Sequence, residues 1–198
     1  AAGDDGVEAV AFGDLFLADV RAHRESLMSD TGICPVFPLW GRSTPALARQ
    51  FIEVTEPDVI LGGGEDWWYP VGDPGAYPDD PADPRPEESK STIGNLVELA
   101  EGAGYDYVST PDELAATRSD KVLGLFANEE MFEQFPEGQG DEYSPVVPLT
   151  TMTAKALDVL SRDRQGFFLL VEEEAIDEFA HNNNAERTIQ AGQALDAT

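Results

Sequence analysis

The sequence predicts an α/β protein, with one domain over residues 1–198 and a mainly parallel sheet flanked by helices. Three observations carry that expectation. Short apolar runs of strand length alternate with amphipathic segments of helix length, the order that parallel βαβ units require. Helix-start signals fall between the apolar runs. Hydrophobic residues make up 41% of the 198 positions, ordinary for a chain with a packed core.

The first strand is expected at Glu8–Phe12. A helix follows across Leu15–Leu27, with apolar residues at 15, 16, 20 and 27. Ile33–Leu39 reads as the second strand. Ser43 can cap a helix over Thr44–Glu53, with Pro45 in its first turn, where the missing N–H costs nothing. Asp58–Leu61 is the third strand and runs into Gly62-Gly63-Gly64. Ile93–Ala100 is helical. Tyr105–Val108 is the fourth strand, and Thr110-Pro-Asp-Glu113 has the spacing of a capping box with proline at the first helical position. Lys121–Phe126 is the fifth strand. A helix over Thr150–Ser161 leads to a sixth strand at Gly166–Val171, and residues 185–197 read as a final helix. Right-handed crossovers are expected throughout. Two stretches break the rhythm, Glu65–Lys90 and Ala127–Pro148, and loops of such length are functional or mobile segments as a rule.

The charge is the chain's most unusual global property. Twelve Lys+Arg stand against 39 Asp+Glu, a net charge of −27, and only three of the basic residues are lysine. Phosphate backbones and anionic bilayers would be repelled, which disfavours nucleic acid and membrane partners. High salt would screen the self-repulsion, so the composition points to a halophilic origin; an acidic protein that binds cations or a basic partner is the other reading. No apolar stretch approaches the ~18 residues of a membrane span, and no signal peptide is visible, which leaves localisation open. Cys34 is alone, so no internal disulfide forms. Its place between Ile33 and Pro35 predicts a buried packing thiol.

Among the motifs, Gly62-Gly63-Gly64 lacks the lysine and spacing of a phosphate loop and reads as a tight turn. Trp67, Trp68 and Tyr69 could stack a ligand ring, but such aromatics more often anchor a long loop. His23 is expected on an exposed helical face. The strongest chemical signal follows the sixth strand. Phe167–Val171 ends in Glu172-Glu173-Glu174, and Asp177 and His181 come next, four positions apart. On a helix, both project from one face. A carboxylate and an imidazole there, with Glu172 at a strand end, suit a hard-to-borderline metal ion. The bland alternative is a solvated acidic run. Asn182, Asn183 and Asn184 offer amide oxygens better suited to calcium than to zinc. The acidic pair Asp79-Asp80 is a second place for a cation.

Val171, Glu172, Ile176, Asp177 and His181 match a Val-Glu-Gly-x-x-Ile-Asp-x-x-x-His segment, with Glu173 in place of the glycine. In this the chain resembles the alkaline phosphatase family. Met152–Ser161, Leu123–Ala127 and Asp58–Gly64 are similar to other family elements, so the resemblance covers residues 50–198. It implies phosphomonoester hydrolysis, zinc and magnesium as cofactors, Glu172 as a magnesium ligand, and Asp177 and His181 as zinc ligands. The Asp-Ser-Ala segment that carries the family's nucleophile has no counterpart here, nor does its phosphate-binding arginine. No catalytic residue is therefore assigned, and the resemblance implies a middle segment that is catalytically incomplete. Val10–Arg21 and Thr31–Arg42 resemble PP-loop ATP pyrophosphatases related to diphthine–ammonia ligase, without the nucleotide loop. The chain thus reads as a mosaic of residues 7–49 and 50–198, joined near Ala48–Phe51. A non-catalytic, self-associating module is the rival reading, with a homodimer and inorganic cations as partners; weak nucleotide binding is a third.

Overall fold

Val122–Leu125 is the most deeply buried strand of the protein, and its apolar alternation organises the fold. The computed structural model describes residues 6–78, 89–132 and 143–198; parts of both long loops, with Asp79 and Asp80, lie outside the described residues. The protein is α/β, with parallel strands and intervening helices, in two compact units, residues 1–47 and 48–198. The continuous sheet predicted from the strand rhythm is, among the described residues, two parallel sheets.

The first unit is a small βαβ arrangement. Strands β1 (Ala9–Ala11) and β2 (Cys34–Val36) pair in parallel, with α1 (Ala18–Met28) between them in sequence. Arginines replace aliphatic packing here. The Arg21 guanidinium lies 4.6 Å from the Phe37 ring and 4.8 Å from the Trp40 ring. Arg24 stacks 4.6 Å over Phe12 and pairs with Asp14 at 2.8 Å. Cys34 is exposed, against the expectation of a buried thiol. The reason is strand alternation: Pro35 takes the covered face of β2, which turns Cys34 and Val36 outward. His23 is exposed, as its helical position predicts.

The helix α2 (Thr44–Gln50) runs from the last residues of the first unit into the second and widens into a π turn over Phe51–Thr55, closed by Glu56 in the left-handed region. Then come β3 (Val59–Gly62), α3 (Leu96–Gly102), β4 (Asp106–Val108), α4 (Pro111–Ala116) and β5 (Val122–Leu125). The sheet order is β3-β5-β4, all parallel. Central β5 sends alternate side chains to two cores. Leu123 and Leu125 join Ile52, Trp68, Leu96 and Tyr105 on one side. Val122 joins Val108, Leu114, Phe126, Val147 and Val159 on the other. Gly124 faces the second side, where a Cβ would stand 2.5 Å from the Phe126 ring and 2.7 Å from Leu61. The remaining helices are α5 (Leu149–Leu160), α6 (Ala175–His181) and α7 (Ala185–Asp196); α6 and α7 close over Phe179 and Ala191.

Local chemistry sets the helix starts. Thr110 and Glu113 form the expected capping box, with Pro111 opening α4. The Asn95 side chain accepts from the Val97 and Glu98 amides at 3.0 and 3.1 Å and starts α3. Gly62 ends β3, Gly63 bends the chain and Gly64 lies in the left-handed region; Gly64 donates its amide to the Glu129 carbonyl at 2.7 Å, and a Cβ on Gly63 would stand 2.1 Å from that oxygen. Trp68 is buried in the first of the two cores with Trp67 and Tyr69 packed against it, and the Trp68 and Tyr69 carbonyls accept from the Leu96 and Ser91 amides at 2.7 and 2.9 Å.

The sixth predicted strand differs. Residues 166–171 form no ladder among the described residues. From Phe168 to Glu173 exposure alternates residue by residue, the period of extended chain. The apolar run has the alternation of a strand but pairs with no strand among the described residues. Phe168 is consequently 87% exposed and Leu170 73%.

Candidate metal centre

The extended run enters α6 through three glutamates, of which Glu173 is half-buried and Glu174 is exposed. Glu172 is exposed. Glu173 turns inward: its carboxylate accepts from the Tyr143 hydroxyl and, at 3.3 Å, from the Ala175 amide in the first turn of α6. Burial and the neighbouring Glu173 charge push the Tyr143 hydroxyl well above its ordinary range. Glu174 precedes α6 without a side-chain cap. Desolvation first, then the charges of Glu130, Glu178, Glu172 and Glu173, push its carboxyl up to about 7.

Helix α6 carries out the spacing that the sequence suggests. The Asp177 Oδ2 and His181 Nε2 atoms lie 3.4 Å apart, on side chains 77% and 72% exposed. At that exposure an ion pair contributes little to stability. The separation has a second meaning, because two ligands ~2.0–2.2 Å from one tetrahedral zinc lie roughly 3.3–3.5 Å apart. The pair therefore fits two corners of a zinc shell. It does not fit a whole one. Among the described residues, no group of three or more His, Cys, Asp or Glu side chains is gathered closely enough to hold a metal ion. A catalytic zinc takes three protein ligands. Of the three predicted ligands, Asp177 and His181 are brought together; Glu172 stands before the helix and is not gathered with them.

Beside these acids lies a cavity of about 460 Å³. Val59 and Leu61 of β3, Met152 and Ala156 of α5, and Leu169 and Val171 of the extended run line it, with Glu172–Glu174 at its rim. Neither this cavity nor the role of Tyr143 is legible in the sequence: Tyr143 and its partner Glu173 are far apart in the chain, and nothing local links the two. Away from this cluster, the buried carboxylate of Glu65 is structural. It is 1% exposed and accepts from the Ala76 and Tyr77 amides at 3.1 and 2.8 Å and from the Tyr107 hydroxyl at 2.7 Å.

The family model for alkaline phosphatase matches residues 18–198. The match begins at 18, so most of the segment read as PP-loop-like falls inside it, and the boundary expected near residue 50 does not separate two families. The chain is 38% identical over 127 residues to alkaline phosphatase 4 of Bacillus subtilis, covering 64% of this chain and 22% of that protein. It is 29% identical over 162 residues to the tissue-nonspecific alkaline phosphatase of Gallus gallus, covering 76% and 30%. The crystal structure of Thermus thermophilus alkaline phosphatase superposes with a TM-score of 0.61 at 24% identity, over 99% of this chain and 35% of that one. The chain thus spans between about a fifth and a third of the length of these relatives.

Proposed function

The chain belongs to the alkaline phosphatase family, and we propose that it is a phosphomonoester-hydrolase segment that contributes part of a metal centre and is catalytically incomplete by itself. One observation carries the reading: Asp177 and His181 sit on one exposed helical face at 3.4 Å, a spacing that suits one ion. Zinc would take these two side chains. Magnesium would take Glu172, by the family resemblance. The third zinc ligand has no candidate among the described residues, so affinity rests on an open, two-sided shell. We derive no catalytic step from it. The nucleophile is equally without a candidate, because the sequence holds no Asp-Ser-Ala segment. We also propose that the protein is of halophilic type, with cations as its natural small partners; the −27 charge supports that reading.

Titrating the purified chain with zinc, by calorimetry in molar salt, tests the metal reading. Weak binding at a single site is expected. Asp177→Asn and His181→Ala should each weaken it tenfold or more, since each removes one of two ligands. Binding unchanged in the double variant would refute the assignment.

A further inference from the structure

The segment after Pro70 lies on the body of the second unit without burying apolar surface there. Val71 is 67% exposed, and Gly72, Pro74 and Ala76 are exposed with it. Among the described residues, none from Val71 to Tyr77 joins a hydrophobic core cluster. A segment with so few buried apolar contacts belongs to the low-stability end of a fold. Polar contacts hold it instead. The Asp73 carbonyl accepts from the Ser89 hydroxyl, and the Tyr77 hydroxyl donates to the Ser109 carbonyl just beyond β4. The central contact is the buried Glu65 carboxylate. Its Oε1 accepts from the Ala76 amide at 3.1 Å and from the Tyr107 hydroxyl at 2.7 Å, and its Oε2 accepts from the Tyr77 amide at 2.8 Å.

All three partners are donors, so the carboxylate holds them by charge-assisted bonds. Burial and the bond to Glu65 push the Tyr107 hydroxyl well above its ordinary range, which keeps it a donor into alkaline solution. Glu65 is itself fixed from behind, because its amide donates to the Ala127 carbonyl at 3.0 Å. Gly75 permits the close approach. Its φ is +59°, and a Cβ there would stand 2.5 Å from the Glu65 Oε2 atom. We propose that residues 73–77 are a strap, latched beside the end of β4 by the Glu65 carboxylate, which opens as one unit when the latch is lost and leaves the sheet folded beneath it. Opening bares the Glu65 carboxylate and the Tyr107 hydroxyl on the carboxyl side of the sheet, where open α/β sheets bind their ligands. The strap thereby controls access to a buried acid and a buried phenol.

Amide exchange on the full chain in molar salt, followed by NMR, reads the strap at its own hydrogen bonds. In the unaltered protein the Ala76 and Tyr77 amides should share one protection factor. It should lie below that of the Val122 and Phe126 amides, which bind β5 to the Asp58 and Gly62 carbonyls. Glu65→Gln keeps the shape of the side chain but puts two hydrogens where the carboxylate has none, so a strap amide faces another donor. Protection of Ala76 and Tyr77 should fall by roughly tenfold or more, the usual weight of bonds to a charged group. Val122 and Phe126 should keep theirs. Gly75→Ala disturbs the contact from the strap side with Glu65 intact and should give the same pattern. Because both changes break one contact, their losses should not add in the double variant. Unchanged protection of Ala76 and Tyr77 in Glu65→Gln would overturn the proposal, as would additive losses in the double variant. An equal loss at Val122 and Phe126 would also overturn it, since Glu65 would then support the whole fold rather than latch a strap.

Discussion

Glu174 shows how a single residue reports on the acidic cluster. Its carboxyl is raised from 4.5 to about 7 by lost hydration and four neighbouring glutamates. A raised carboxyl pKa means that the folded state binds the proton more tightly than the unfolded state between those two values. Stability therefore falls as pH rises through that window, and the full penalty is present above about 7. In chelator, Glu174→Gln should raise the melting temperature at pH 8, and the gain should shrink toward zero near pH 4.5. A gain independent of pH would mean that the charge is not the cause. Glu173 shows how a departure from a family pattern can be read. It occupies the place of a glycine in the familiar segment, and the structure gives it a job there, held by Tyr143 and bonded to the first turn of α6.

At the scale of elements, legibility in the sequence tracked locality. The capping box at Thr110 was readable because all its partners lie within four residues. Thr110→Ala should cost about 1 kcal/mol in a denaturant titration, the usual loss for a cap; no loss would show that Glu113 alone holds the helix start. Strands β3, β4 and β5 were equally readable, since their apolar runs are short and end at turn residues; β5 is buried throughout, while β3 is half-buried and β4 exposes Asp106. The run at 167–171 reads as a strand by the same rule and forms no ladder, because pairing depends on a neighbour that local sequence cannot specify. Cys34 failed similarly: an apolar run identifies a strand, but which side of a two-stranded sheet is covered is a tertiary matter. Of the candidate site, the Asp177–His181 pair was legible from helical spacing alone. The placement of Glu172 apart from that pair was not, because the turn through Glu173 and Glu174 is set by the distant Tyr143.

For the whole molecule, charge and completeness decide behaviour. Ion pairs among the described residues are mostly exposed, as for Arg49–Glu53 and Arg162–Asp120, and contribute little against a net charge of −27. Repulsion should dominate at low ionic strength and vanish as the Debye length falls to about 3 Å at 1 M salt. The melting temperature should therefore rise steeply from low to molar potassium chloride, and a flat profile would contradict the halophilic proposal. The proposed function is that of an alkaline phosphatase family chain whose 198 residues contribute to a metal centre and are not sufficient for turnover. Phosphoryl transfer depends on positioning and electrostatic stabilisation, and the two exposed side chains Asp177 and His181 on α6 supply little of either. The most direct measurement is turnover of p-nitrophenyl phosphate by the purified chain at alkaline pH, in molar salt, with zinc and magnesium added. The account predicts at most a trace rate, unaffected by Asp177→Ala. Turnover of about 1 s⁻¹ or more, within the ordinary enzyme range and abolished by Asp177→Ala, would contradict it.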